Sequence, residues 1–380
     1  MQNDDVFDRR VLLAGLGAAG AFAATRSLRA GDLNPPAGPI SPTMKTLDEI
    51  EPRTAINAQN TPGDTDCLYR ISQPGSYYVT ENLHGESGKS GICIDSENVK
   101  VDLMGFSIVG APGSLYGVFV RSFRRSIRLH NGSVEQWGLD GVNLVDGDLS
   151  GVNHEVDAVF VSQNNGRGIR VGANSVIQNC IAFNNGTIGI SGGVNAIISH
   201  CVARTSGNVG IAGGAGGTMM HCAAEQNASH GLFTSNSGLV LHCNSLNNEG
   251  NGIHVGVASM VSHCTAAGNT ISGIRLNGRS IALNNVCQSN NAVGDGAGIL
   301  ISNARNRVEG NNCVLNGVGI RATTGGHFIA RNTCSGNVVN WDIAANNACL
   351  VVNATLGSAF AGNAGGVSTG STDPNANYTY

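Results

Sequence analysis

Along most of the chain a glycine followed by an aliphatic residue returns at a fixed interval. It falls at Gly168-Ile169, Gly189-Ile190, Gly210-Ile211, Gly231-Leu232, Gly252-Ile253 and Gly273-Ile274, each step being 21 residues. After a 25-residue step the series resumes at Gly298-Ile299 and Gly319-Ile320, and it runs back less regularly through Gly141-Val142, Gly117-Val118 and Gly91-Ile92. Asn340-Trp341 is a degenerate last member. Within one period, as in "SVIQNCIAFNNGTIGI", apolar stretches of three to five residues are broken by Asn and Gly. Such pieces are too short for helices or long hairpins, and their breakers are the residues that tolerate a left-handed backbone. A repeat of this length that cannot bury its own apolar face must stack on its neighbours. The pattern therefore predicts an all-β solenoid in which each strand pairs in parallel with its equivalent one coil away. Eleven to twelve coils of about 21 to 27 residues, spaced by about 4.8 Å, give a rod roughly 50 to 55 Å long.

Two further columns follow the same period. Cys180, Cys201, Cys222, Cys243 and Cys264 are 21 residues apart. Asn285, Asn311 and Asn332 then continue the column, while Cys287, Cys313 and Cys334 enter two residues later, in the slot held earlier by Ala182, Ala203, Ala224, Ser245 and Ala266. This exchange reads as core packing, in which a buried thiol behaves as a small hydrophobe. Disulfides and metal are the alternatives, but stacked parallel Cβ vectors stay about 4.8 Å apart where a disulfide wants about 3.8 Å. His200, His221, His242 and His263 form the adjoining column, flanked by Asn179 and Asn284. A ladder of stacked neutral imidazoles is expected there rather than zinc, whose ligands must converge from different directions.

The repeat resembles the right-handed parallel β-helix proteins of the pectin-lyase-like superfamily, over about residues 67 to 353. That resemblance implies the fold; the superfamily's activities are too varied for it to imply one. The stretches "ISQPGSYYVTENL" and "VKVDLMGFSIVG" and the terminal "TDPNANYTY" are similar to a group of exported β-helix proteins from planctomycete-type bacteria with no established activity. Residues 31 to 66 read as a Pro-rich arm followed by a short capping helix with Thr46 as N-cap and Glu49 three residues on. Residues 354 to 380 read as a C-terminal tail.

Ahead of the repeat, Arg9 and Arg10 precede an apolar stretch from Val11 to Ala24. It is too short to span a bilayer, and residues 1 to 30 resemble a twin-arginine export signal. A periplasmic, extracellular or cell-surface protein is expected, with no membrane span in the mature chain. Charged residues make up 13% of the sequence, the formal charge is −4, and Lys45, Lys89 and Lys100 are the only lysines. A nucleic-acid partner is excluded for want of a basic surface.

Carboxylates are scarce in the regular coils: between Ile169 and Ile274 only Glu225 and Glu249 occur. The long coil from Gly141 to Gly168 is the exception, with Asp146, Asp148, His154, Glu155 and Asp157, and with Arg167 and Arg170 close behind. Acid, base and cation within one loop would suit β-elimination on an acidic polysaccharide, with His154, Arg170, Asp146 and Asp148 as catalytic candidates and calcium at Asp146, Asp148 and Asp157. A separate column, two residues after each repeat glycine, should point outward, and in it Arg170, Phe233, His254 and Arg275 are candidates for holding a glycan by stacking and hydrogen bonding. Because the regular coils lack paired acids, and because no short signature of pectate lyases, polygalacturonases or mannuronan epimerases is present, the sequence favours a non-catalytic glycan-binding or scaffold protein. A polysaccharide lyase or glycoside hydrolase acting on an acidic polysaccharide is the alternative.

Overall fold

The computed structural model describes residues 51–145, 151–291, 296–353 and 373–380. Its strands wind into the expected right-handed parallel β-helix, with no helix among the described residues. One parallel sheet has thirteen strands, from Cys67–Ile71 to Val339–Ile343, one per coil. A second, of twenty-six strands, takes the remaining strands, generally two per coil, such as Ile197–Ser199 and Val202–Arg204 with a corner between them. The predicted register holds residue for residue: Ile169 pairs with Ile190, Ile190 with Ile211, Ile211 with Leu232, Leu232 with Ile253, and Ile253 with Ile274. All of them have no solvent exposure. The repeat glycine is required by close approach: a Cβ on Gly210 would lie 2.6 Å from Asn227 Nδ2 and 2.7 Å from the Gly231 carbonyl oxygen.

Many corners are closed by a side chain that accepts the backbone N–H of the preceding coil. At one corner Asn248 donates its N–H to Asn269 Oδ1 at 3.1 Å, and Asn269 donates its own to Asn290 Oδ1 at 3.0 Å, with amide-to-amide bonds of 2.9 Å running along the same row. At the next, the cysteine column does the same work with sulfur, Cys222 N–H on Cys243 Sγ and Cys243 N–H on Cys264 Sγ at 3.4 Å, until Cys264 N–H meets Asn285 Oδ1 at 2.9 Å. The Cys-to-Asn handover is thus one acceptor replacing another in a single buried row, which satisfies polar groups that water cannot reach. All eight cysteines of the two columns are buried and free. The one disulfide, Cys67–Cys93, joins positions that are not opposite each other, since Cys67 pairs with Ser90 and Arg70 with Cys93. It lies diagonally between coils, so the spacing that keeps a column reduced does not apply to it.

The coil is longer than the repeat predicts. Thr54–Ile56 pairs with Gly75–Val79 ahead of the first expected coil, and Asn377–Thr379 folds back to pair with Thr333–Ser335 and Val351–Asn353. Asn377 thereby adds a last amide to the row, its Oδ1 accepting from Asn332 at 2.9 and 3.0 Å. The expected export segment, the Thr46–Glu49 cap and residues 354 to 372 of the tail lie outside the described residues.

Candidate functional site

Placing the sequence candidates on the coil separates them. His154 is 1% exposed and sits inside a corner. Its Nδ1 accepts the Ile127 N–H at 3.3 Å, and its own N–H goes to Ser175 Oγ at 3.0 Å. In later coils the same position is filled by Ser259, Ser280, Asn306 and His327, each accepting the N–H of the coil before. Burial depresses the His154 imidazole to about 4, so it is neutral and enclosed, a corner acceptor where the sequence had offered a general base. Asp157 lies elsewhere, on the outer face of the twenty-six-strand sheet. There its Oδ1 accepts from Asn179 Nδ2 at 2.8 Å, and it lines an open groove of about 250 Å³ with Lys100, Arg128, His130 and Glu155. Asp146 and Asp148 fall outside the described residues, so no calcium set can be assembled from the described ones. Arg170 stands on a third surface, the outer face of the thirteen-strand sheet.

That last surface does gather the remaining candidates. Strand pairing runs one column without a break through Phe119, Asn143, Arg170, Ser191, Ala212, Phe233, His254 and Arg275. All are partly exposed except Asn143, which is buried with its Oδ1 accepting the Val145 N–H at 3.1 Å. A second column, the residue immediately before each repeat glycine, flanks the first and was not anticipated. It contributes Tyr116, Asp140, Arg167, His230 and Asn251. Its side chains reach the first column: Tyr116 stacks on Phe119 with ring centroids 4.5 Å apart, and His230 stacks on Phe233 at 6.3 Å.

Around Arg275 the geometry fixes a chain of protons. The Asn251 N–H donates to His230 Nδ1 at 3.1 Å, so the neutral His230 ring carries its hydrogen on Nε2. That nitrogen is 3.2 Å from His254 Nδ1 and donates to it, which leaves His254 with an N–H on Nε2. Both rings are held neutral, His254 down at about 4 by burial, His230 and Arg275, and His230 below its usual range by burial and Arg275. Phe233 packs edge-on against His254 at 5.5 Å. Arg275 makes no ion pair among the described residues, and its Nε, like Asn251 Oδ1, is buried without a hydrogen-bond partner. Fixed donors, a cation and an aromatic wall thus converge with no carboxylate among them.

The second cluster, five coils back from Arg275 at Arg170, is more charged. Asp140 Oδ1 accepts the Arg167 N–H at 2.7 Å. Burial and the nearby Arg170 lower the Arg167 guanidinium, partly offset by Asp140, while burial and Asp140 raise the Tyr116 phenol against the pull of Arg170.

A model of the right-handed β-helix region matches residues 149–286. No curated protein sequence matches the chain. Among solved structures the chain is similar to the A-module of the mannuronan C-5 epimerase AlgE4 of Azotobacter vinelandii, at 18% identity and a TM-score of 0.62, over 72% of this chain and 90% of that one. It is also similar to the AlgE6 A-module of the same organism, at 16% identity and 0.55, over 72% and 88%. A third likeness is to the tailspike protein of E. coli bacteriophage HK620 in complex with a pentasaccharide, at 12% and 0.52, over 68% and 60%. At these identities the likeness is one of fold. No helix among the described residues is long and apolar enough to cross a membrane.

Proposed function

We propose that the chain is an exported glycan-binding protein that holds an acidic polysaccharide against the outer face of its thirteen-strand sheet. The observation that carries this is the cluster of Phe233, His254 and Arg275 on three successive coils, completed by His230 and Asn251: a ring to stack on a sugar, and neutral and charged donors to take a carboxylate. Export is supported by the Arg9-Arg10 segment and by the Cys67–Cys93 disulfide, which belongs to an oxidising compartment. The likeness to a mannuronan C-5 epimerase module and to a tailspike protein in complex with a pentasaccharide agrees with a carbohydrate partner. Titration with polygalacturonate or polymannuronate, beside a neutral dextran, tests the reading. Binding of the acidic polymers, reduced about ten- to a hundredfold in Arg275→Gln by loss of a charged hydrogen bond worth about 1.5–3 kcal/mol, is expected. Equal affinity for dextran, or an unchanged Arg275→Gln variant, would refute it.

A catalytic reading, as a lyase or hydrolase on the same polymers, draws on the Tyr116 phenol, which burial and the Asp140 carboxylate push up and the Arg170 guanidinium pulls down, since a phenol under such influence can move a proton. Unsaturated products or new reducing ends after incubation with those polymers would establish it over plain binding.

A further inference from the structure

The two clusters on the outer face repeat one another. Reading along the solenoid, the first begins with a stacked ring pair, Tyr116 on Phe119; the next coil brings the polar pair Asp140 and Asn143; the next brings Arg167 and Arg170. Five coils after the first ring pair comes the second, His230 on Phe233, followed by Asn251 and His254, and then by Ser272 and Arg275. Ring pair, polar pair, arginine: the order, the coil spacing and the columns are the same. Each cluster also carries the same formal charge, two arginines against Asp140 in the first and Arg275 beside two neutral imidazoles in the second. Between them stand only Ile188, Ser191, Val209 and Ala212, small or apolar residues that leave the face low and uncharged. Because both columns keep their register through every intervening coil, the two clusters lie in line, about 24 Å apart at about 4.8 Å per coil.

Resting on the glycan reading above, we infer that these are two like subsites that grip one acidic polysaccharide chain lying along the solenoid axis. A single cationic subsite on an open sheet binds a carboxylated sugar weakly. Two on a rigid rod make the second contact intramolecular, with a gain of order 10²–10⁴ once the chain is long enough to reach both, and none below that length. Stiffness of the stacked coils sets the distance, so the protein measures chain length as well as charge.

Calorimetric titration with a length series of galacturonate oligomers tests this on the wild-type protein. Oligomers too short to span from Arg170 to Arg275 are expected to bind weakly with two per protein, and those long enough to span to bind one per protein at least tenfold more tightly. In Arg275→Gln the short oligomers should fall to one per protein and the long ones lose their advantage; Arg275→Lys, which keeps the charge, should recover part of it. One oligomer per protein at every length, or affinity that does not rise with length, overturns the two-subsite inference while leaving a single glycan site standing. No binding at any length removes the glycan reading and this inference together.

Discussion

His154 and His254 lie on different coils of the same solenoid, one inside a corner and one on the outer face, and burial brings both imidazoles down to about 4. Their neighbours set them apart. The position of His154 is refilled in other coils by Ser175, Ser259, Ser280, Asn306 and His327, and each side chain accepts the same N–H. Any acceptor of suitable size serves, so the residue belongs to the architecture. In the column of His254 the succession is Ser191, Ala212, Phe233, His254, Arg275, Leu300, and from Phe233 on each coil brings a different chemistry. In a solenoid, repetition of a role marks what holds the coil together, and departure from it marks where selection has acted on something else. A depressed titration alone separates neither case, because burial depresses both.

The strongest way to break the inner region is to interrupt a corner row. Asn269 is fully buried, and its amide accepts from both the N–H and Nδ2 of Asn248 and donates to the Ser245 carbonyl and to Asn290 Oδ1. Asn269→Leu keeps the volume but leaves the buried Asn248 N–H without its acceptor, at about 1–3 kcal/mol, and removes the other three bonds at about 0.5–1.5 kcal/mol each. Against a total of about 5–15 kcal/mol for a folded protein, the variant should lose a large share of its stability in urea unfolding. A midpoint within experimental error of wild type would show that the rows are ornamental.

A smaller effect, with a definite pH signature, belongs to His154. Folded, its imidazole stays neutral down to about 4; unfolded, it takes up a proton at its ordinary value of about 6.5. Between those two values only the unfolded chain is protonated. The contribution of His154 is therefore complete above pH 6.5, declines as the pH falls through the window, and levels off below 4, by about 3 kcal/mol in all. His230, His254 and His327 shift in the same direction and add to the slope. His154→Asn, which keeps an acceptor for the Ile127 N–H as Asn306 does for Ser280, should flatten part of the pH dependence of stability and leave glycan affinity unchanged. An affinity loss comparable to that of Arg275→Gln would return His154 to the binding site.

These contrasts explain what could be read from the chain and what could not. The Gly-aliphatic step fixed coil, register and inward column because a parallel coil repeats its environment, and the alternation of a strand placed Phe233, His254 and Arg275 outside. The residue before each glycine sits at a bend, where alternation no longer tells inside from outside, so Tyr116, His230 and Asn251 went unseen. Asn377 was hidden because it follows its partner Asn332 by 45 residues rather than 21. His154 misled because its sequence neighbours Asp146, Asp148 and Glu155 suggested a charged loop, while its contacts are set by Ile127 and Ser175, one coil to either side.

The smallest expected effect is at the exposed corner where His200, His221, His242 and His263 stack with ring centroids 5.1, 5.3 and 5.1 Å apart. This row is repetitive like the inner ones, yet it faces water, and its backbone is left-handed throughout, with φ between 50° and 54°. Asn179 and Asn284 occupy the same column at φ 54°, so asparagine fits the conformation without strain. His221→Asn removes two ring contacts that solvent already weakens, and surface changes of this kind stay within about 0.5 kcal/mol. Thermal unfolding at neutral pH should therefore barely move. Because this corner lies in the twenty-six-strand sheet and the proposed subsites lie on the thirteen-strand one, glycan affinity should not move either. If His221→Asn weakened binding of a long galacturonate oligomer as much as Arg275→Gln does, then repetition would not mark architecture on this coil, and the histidine row would have to be counted as a surface that meets the glycan.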